Sequence, residues 1–281
     1  MFDTESANHL IQLALREDLG EAGDLTSKAT LPDDTRLRGR IVAKADGVIA
    51  GLPLVAMVYK QIDPTVEVRL CSHDGDAVTR GTLVAEVEGK GQSILTGERV
   101  ALNFLQRLSG VASLTAQFVK ATSGTNTVIL DTRKTTPGWR LLEKYAVTQG
   151  GGQNHRIGLY DMVMIKDNHI DGAGSITKAV EAVRAYQHAS RVPIEVEVRN
   201  LDELGEVLPL NVDRVLLDNM TDDQMREAVK ITDGRVKLEA SGNMSLERVA
   251  SVAATGVDYI SVGALTHSAP ALDLSMKIVR L

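Results

Sequence analysis

The chain has 281 residues, 43% apolar and 24% charged, a composition that excludes a disordered chain. Its net charge of −6 argues against general affinity for nucleic acid, which rests on a basic surface. Aromatic residues make up only 3%, so aliphatic side chains must fill the core, and the single Cys71 excludes an internal disulfide and suits a reducing compartment.

The opening "MFDTESANHL" lacks the basic start and apolar run of a signal peptide, and no stretch approaches the ~20 apolar residues of a membrane span. The reading is a soluble cytoplasmic protein. Residues 5–18 place Leu10, Leu13 and Ala14 at helical spacing. Residues 37–90 read mostly as strands: "RLRGRIVAKADGVIAG", "TVEVRL" and "GTLVAEVEG" alternate or run apolar between Gly-rich turns. The stretch "LTGERVALNFLQRLSGVASLTAQFVKAT" is helical, with Val100, Phe104, Leu108, Val111, Leu114 and Phe118 on one face. Ser109-Gly110 interrupts it and predicts a domain boundary.

After residue 125 six short segments rich in Val, Ile and Leu follow: "TVILDTR", "MVMIKD", "IEVEVR", "RVLLDN", "VKLEAS" and "YISVGA". Helical patterns separate most of them: "SITKAVEAVRAYQHA", "NLDELGEVL", "TDDQMREAVKI" and "SLERVASVAATG". Strand alternating with helix predicts a parallel sheet with helices outside it. Six strands are fewer than the eight of the common barrel, so the expectation is a smaller or incompletely closed α/β barrel, with an open doubly wound sheet as the alternative.

Each segment leaves polar residues near its C-terminal end, where such barrels carry their sites. In chain order these are Arg133 and Lys134; Lys166, Asp167, Asn168 and His169; Glu195 and Glu197; Asp218-Asn219; Glu239 with Ser241-Gly242; and Gly263 with Thr266 and His267. Any one of them can be a cap or a turn residue. The same layout at six successive strand ends is the signature of a polar pocket, because charge buried without a partner is costly. "GGGQNHR", in a connection longer than a strand-helix-strand link needs, adds His155 and Arg156. The cations Arg133, Lys134, Lys166 and His267 point to an anionic ligand. Glu197 and Asp218 among them suit ribose hydroxyls or Mg²⁺ with phosphates. "SGNMS" and "VGALTHS" have the makings of anion cradles, and Asn243 or Ser245 can equally cap the helix that follows.

The block "DTRKTTPGWRLLEKYAVTQGGGQNHRIGLYDMVMIKDNH", with "EVEV", "LLDNM", "EASGN" and "GVDYISVGALTHS", resembles the quinolinate phosphoribosyltransferase family. The likeness includes "EDLGEAGDLTS" and "LTGERVALNFLQRLSGVAS", so it spans essentially the whole chain, with Asn243 standing where many members have glycine. The resemblance implies an N-terminal α/β sandwich over 1–109, which 270–281 can join, and a six-stranded, incompletely closed α/β barrel over 110–269. It implies transfer of the phosphoribosyl group of phosphoribosyl pyrophosphate to quinolinate with decarboxylation, giving nicotinate mononucleotide, pyrophosphate and CO₂ in NAD biosynthesis. Mg²⁺ accompanies phosphoribosyl pyrophosphate and no organic cofactor is needed.

By the same resemblance Thr132, Arg133, His155 and Arg156 hold the quinolinate carboxylates. Arg99 reaches in from the partner subunit of a homodimer, or of a higher oligomer built on it. Lys134 and Lys166 face the substrates' anionic groups, with Lys166 near the reacting centre. Glu197 and Asp218 serve the ribose hydroxyls and Mg²⁺. Ser241, Gly242 and Asn243, with the Val262-Gly263-Ala264 turn and His267, bind phosphate. Three rival readings stand beside this one. They are a Schiff-base aldolase with Lys166 as nucleophile, a related phosphoribosyltransferase with another acceptor, and a carrier module suggested by "HDGDAVTRGTLVAEVEGKG". A carrier hairpin needs a modifiable lysine at its turn, where this chain has Arg80.

Overall fold

A computed structural model describes residues 3–187 and 191–281. The chain begins with helices α1 (Thr4–Leu19) and α2 (Leu25–Thr30), strands β1 (Arg36–Ala43) and β2 (Gly47–Val48) and helix α3 (Leu52–Ile62). Strands β3 (Glu67–Leu70), β4 (Ala77–Val78) and β5 (Leu83–Lys90) lead to the long helix α4 (Gly91–Ala121). Then come β6 (Val128–Leu130), α5 (Arg140–Gln149), β7 (Val163–Ile165), α6 (Asp167–Ala173), α7 (Ile176–Tyr186), β8 (Ile194–Val198) and α8 (Leu201–Val207). The chain closes with β9 (Arg214–Asp218), α9 (Asp222–Thr232), β10 (Lys237–Ser241), α10 (Leu246–Ala253), β11 (Tyr259–Ser261), α11 (Ala264–His267) and β12 (Leu274–Arg280). Among the described residues, no helix is long and apolar enough to cross a membrane.

Two compact units emerge. The first comprises the chain up to Ala116 together with Thr135–Gly151 and Leu265–Leu281. Its sheet runs β12-β1-β5-β3, antiparallel throughout, so the C-terminal strand adds to the edge of the N-terminal sheet. The carrier-like stretch forms β4, a turn and β5 within this unit.

Three local expectations change here. On α1 the buried positions are Ala7 and Ile11, while Leu13 is exposed. Residues 52–62, inside the span read as strands, form helix α3: Gly51 takes the left-handed conformation before it and Pro53 sits in its first turn. Helix α4 continues unbroken through Ser109-Gly110. These small residues serve close packing rather than an interruption. Ser109 Oγ accepts the Ala50 N–H at 3.0 Å, and a Cβ at Gly110 would overlap the Pro270 carbonyl.

The second unit comprises Gln117–Lys134 and Gly152–Ala264. Its six strands are parallel in the order β6-β11-β10-β9-β8-β7. The edge strands β6 and β7 do not pair with each other; Gln153 bridges to Leu130 beside β6 instead. The sheet is therefore an α/β barrel not closed by hydrogen bonds. Its strands are short and dominated by Val, Ile and Leu, as buried parallel strands require. Polar caps start its helices: Ser175 before α7, Asn200 before α8, and a Thr221–Gln224 capping box at α9. Of the helical pattern ending "YQHA", His188 and Ala189 lie outside the described residues.

Candidate active site

Side chains alternate across a strand, and in a small barrel every second one points inward. This places Met164 and Lys166, Glu195 and Glu197, Leu216 and Asp218, and Glu239 and Ser241 on successive strands in two tiers. The register keeps Met164 beside Glu195, Leu216 beside Glu239 and Asp218 beside Ser241, and steps by two residues between β8 and β9, where Glu197 faces Leu216 and Glu195 faces Arg214. A pocket of about 530 Å³ opens at this end of the second unit. Thr132, Arg133, Lys134, His155, Arg156, Lys166, Glu197, Asp218, Ser241, Gly242 and Asn243 all line it, together with Asn219, Glu239 and Ser261.

One wall is cationic. After β6 the chain turns through Thr132, whose hydroxyl accepts the Lys134 N–H at 3.0 Å, which presents Arg133 and Lys134 at the pocket. The loop bearing His155 and Arg156 runs beside β6: Gln153 N–H donates to Ile129 O, and Asp131 N–H to Gln153 O. Asp131, fully buried, then accepts the His155 N–H at 2.8 Å. Burial, and then the nearby Arg133 guanidinium, hold the Arg156 pKa below its ordinary value. Two guanidinium groups that repel each other at a pocket wall favour an anion between or beside them.

Beneath this wall lies a buried ionic cluster. His155 Nε2 is 2.9 Å from Glu195 Oε2 and 3.3 Å from Glu239 Oε2, and Glu239 also pairs with Arg214 at 2.7 Å. Arg214 in turn lies over the Tyr259 ring, 4.2 Å from its centroid. Burial works against a charge on His155, yet the hydrogen bonds and charges of Glu195 and Glu239 outweigh it and raise its pKa to about 9. The Arg156 N–H, 2.7 Å from Nδ1, requires a lone pair there, so the ring proton sits on Nε2, facing the carboxylates. Burial, then the charge of Glu239, raise the Glu195 pKa against the pull of His155, so the extra proton that the cluster retains is shared across the short His155–Glu195 contact. Burial would raise Glu239 as well, but His155 and Arg214 hold it ionised.

The opposite wall carries the acids and glycine. Glu197 lies 3.6 Å from Lys166 Nζ. Burial raises its pKa, with Lys166 opposing and Asp218 adding to the rise. Asp218 Oδ2 accepts from Asn219 Nδ2 at 2.9 Å, and Asn219 Oδ1 accepts from Asn243 Nδ2 at 3.2 Å. Gly242 adopts φ +98°, and a Cβ there would overlap Asn219 Oδ1, so this corner accepts only glycine. Ser245 begins α10 without a side-chain cap bond, and Asn243 is engaged with Asn219, so neither caps that helix through its side chain. His169, read as a rim residue, accepts the Lys166 N–H at 3.0 Å at the start of α6.

The remaining residues singled out from sequence are not among those that line the pocket. Val262 is buried and donates its N–H to Leu130 O; the Val262-Gly263-Ala264 turn follows Ser261 but does not line the pocket. Arg99, exposed on α4, and His267, exposed on α11 with Nδ1 2.6 Å from Ser268 Oγ, both belong to the first unit and are not among the lining residues. Sequence analysis placed Glu195, Glu239 and Asn219 among the polar strand-end residues without a role of their own, and did not single out Arg214. The signal available was the i, i+2 spacing that puts Glu195 under Glu197 and Glu239 under Ser241.

Two places could hold a cation. Among the described residues, His155, Glu195 and Glu239 form one cluster with ligand-like spacing, but Arg214 already supplies positive charge to it. Glu197 and Asp218 offer hard oxygen ligands on the pocket wall and suit Mg²⁺ better.

Comparison with known proteins gives a consistent result along the chain. The family described as "Quinolinate phosphoribosyl transferase, C-terminal domain" matches residues 111–277, and its N-terminal counterpart matches residues 24–109. Quinolinate phosphoribosyltransferase [decarboxylating] 1b of Nicotiana tabacum is 46% identical over 286 residues, covering 96% of this chain and 81% of that protein. A probable nicotinate-nucleotide pyrophosphorylase [carboxylating] of Synechocystis is 48% identical over 273 residues, covering 96% of this chain and 92% of that one. The crystal structure of NadC from Streptococcus pyogenes superposes with a TM-score of 0.96 at 41% identity, covering 100% of this chain and 99% of that one.

Proposed function

The chain belongs to the quinolinate phosphoribosyltransferase family, and from that premise we propose a role for each wall of its pocket. The enzyme transfers the phosphoribosyl group of phosphoribosyl pyrophosphate to quinolinate with decarboxylation, a step of NAD biosynthesis. The observation that carries the assignment of walls is the pair Arg133 and Arg156, held close enough to repel, with Lys134 and Lys166 beside them. Arginine's planar fork matches a carboxylate bidentately, and adjacent carboxylates on a flat ring call for two such donors. Each charge-assisted bond contributes roughly 1.5–3 kcal/mol, enough together to select a dianionic ring over a monoanionic one.

The cationic wall, Thr132, Arg133, His155 and Arg156, takes the quinolinate ring. Lys134 and Lys166 face the phosphate side, with Lys166 nearest the reacting carbon. Glu197 and Asp218 receive the ribose hydroxyls, and Ser241, Gly242 and Asn243 take phosphate through backbone N–H groups. As pyrophosphate departs, positive charge builds at the sugar C1, and the two carboxylates stabilise it. The ring nitrogen attacks C1 and becomes a pyridinium. That cationic ring accepts the electron pair left by CO₂, and the carbon then takes a proton, so the chemistry calls for no organic cofactor. Glu197 and Asp218 would hold Mg²⁺, which when bound neutralises charge on the leaving pyrophosphate.

The proposal extends to a homodimer in which the exposed Arg99 is supplied to the partner's pocket. The exposed, free Cys71 supports a reducing compartment, the cytoplasm. The test is Arg133→Ala, expected to raise the quinolinate KM by about 100-fold or to abolish CO₂ release while the fold survives. Normal quinolinate kinetics in that variant would sink the assignment. Mixed dimers of Arg99→Ala and Arg133→Ala chains should recover part of the activity; none from verified mixed dimers removes the shared site.

A further inference from the structure

His155 has both ring nitrogens committed. Nε2 faces Glu195 and Glu239, and Nδ1 accepts the backbone N–H of Arg156. The side chain is 4% exposed and is fixed from below and from the side. It therefore works as a strut between the buried carboxylates and Arg156, whose guanidinium donates to Met162 O at 3.0 Å and reaches the pocket.

Glu195 is the informative member of the cluster. It is fully buried, yet among the described residues it has no other hydrogen-bond donor; the His155 ring nitrogen at 2.9 Å is its near neighbour. A buried carboxyl group with so little hydrogen bonding costs stability and is not what a core needs at that volume. Glu239 differs, because Arg214 pairs with it. What Glu195 supplies is a fixed direction for the Nε2–H, hence a fixed ring plane, hence a lone pair aimed at the Arg156 N–H.

We propose that Glu195 is a positioning residue for the phosphoribosyl acceptor, acting through the His155 ring to set the backbone of Arg156 and so the spacing of the two guanidinium groups that read a ring dicarboxylate. The inference rests on the acceptor reading given above. It separates the two substrates: the acceptor wall depends on Glu195, and the sugar-phosphate wall of Glu197, Asp218 and Gly242 does not.

The test is steady-state kinetics of Glu195→Gln in the full-length enzyme, varying each substrate in turn, with nicotinate as a competing ligand bearing one carboxylate. The expected result is a quinolinate KM raised about tenfold, a phosphoribosyl pyrophosphate KM within about twofold of wild type, and a narrowed preference for quinolinate over nicotinate. A general loss of structure would move both KM values together, and that outcome overturns the proposal. So does an unchanged quinolinate KM. If Glu195→Gln does not fold, Glu195→Asp, which keeps the carboxyl group and withdraws it by one methylene, is measured instead; a wild-type quinolinate KM there overturns the proposal, and a selective rise supports it. Wild-type protein that neither binds nor converts quinolinate would refute the proposed function itself. Wild-type turnover with an indifferent Glu195→Gln would refute only the positioning role.

Discussion

Two sheets in this chain carry arginine and glutamate on cross-strand positions of the same kind. On the antiparallel sheet of the first unit, Arg38 stands opposite Glu88, and Arg40 and Arg69 flank Glu86. Their ion pairs are made at the surface, with the arginine side chains 44–68% exposed. In the parallel barrel, Glu195 stands opposite Arg214, and Arg214 reaches Glu239 one strand further on. There the glutamates are sealed from water. The local sequences "RLRGR" and "IEVEV" do not differ in period; enclosure makes the difference, since alternate positions of β1 face solvent while the inward carboxylates of the barrel are sealed. An open face leaves alternate charges solvated, where a pair is worth little. An enclosed one turns them into an interior where each charge must find its partner inside the protein.

Matched substitutions break or sharpen that contrast. Glu239→Gln removes one negative charge and leaves Arg214 and the His155 ring without it. The expected loss is about 3–5 kcal/mol of folding stability, the usual result of breaking a buried pair from one side. Urea unfolding of the purified variant measures it, and a loss under about 1 kcal/mol would mean that the barrel cluster behaves like a surface pair.

The next effect is the pH dependence of the same cluster. Held up to about 9 in the folded protein, the proton shared by His155 and Glu195 leaves the unfolded chain near pH 6.5. The stabilisation is therefore complete below about pH 6.5 and is lost as the pH rises through about 9, with an upper bound of roughly 3 kcal/mol. Thermal melts across that window should show wild type falling more steeply than Glu195→Gln. Parallel slopes for the two proteins would place the retained proton elsewhere.

The barrel was legible because its strands are short Val, Ile and Leu runs bounded by polar residues, a pattern with few other readings. Helix α3 was not, because "LPLVAMVYKQI" is apolar on too many sides to show a period, and its start is set by a left-handed Gly51. The pocket walls were legible at the strand ends, where Arg133, Lys166, Glu197 and Asp218 break apolar runs. The layer below was not. Alternation puts Glu195 beneath Glu197, but only the folded barrel reveals that one is sealed and the other partly open to the pocket. Asp131 escaped for a different reason: its partner is a backbone N–H 24 residues away, which no residue type announces.

The smallest effect is the most exacting for the contrast. Glu88 lies 2.7 Å from Arg38 and 3.7 Å from Arg36, geometry as good as that of Glu239 with Arg214. It also stands directly opposite Glu67, a like charge that offsets part of the attraction. Glu88→Gln keeps the side chain's shape and β-strand context while removing the charge. The expected change in unfolding free energy is under about 1 kcal/mol, shrinking further in ~1 M salt because the pair is open to screening. A loss of about 3 kcal/mol that persists in high salt would show that distance alone, not enclosure by the barrel, decides what an ion pair is worth in this chain.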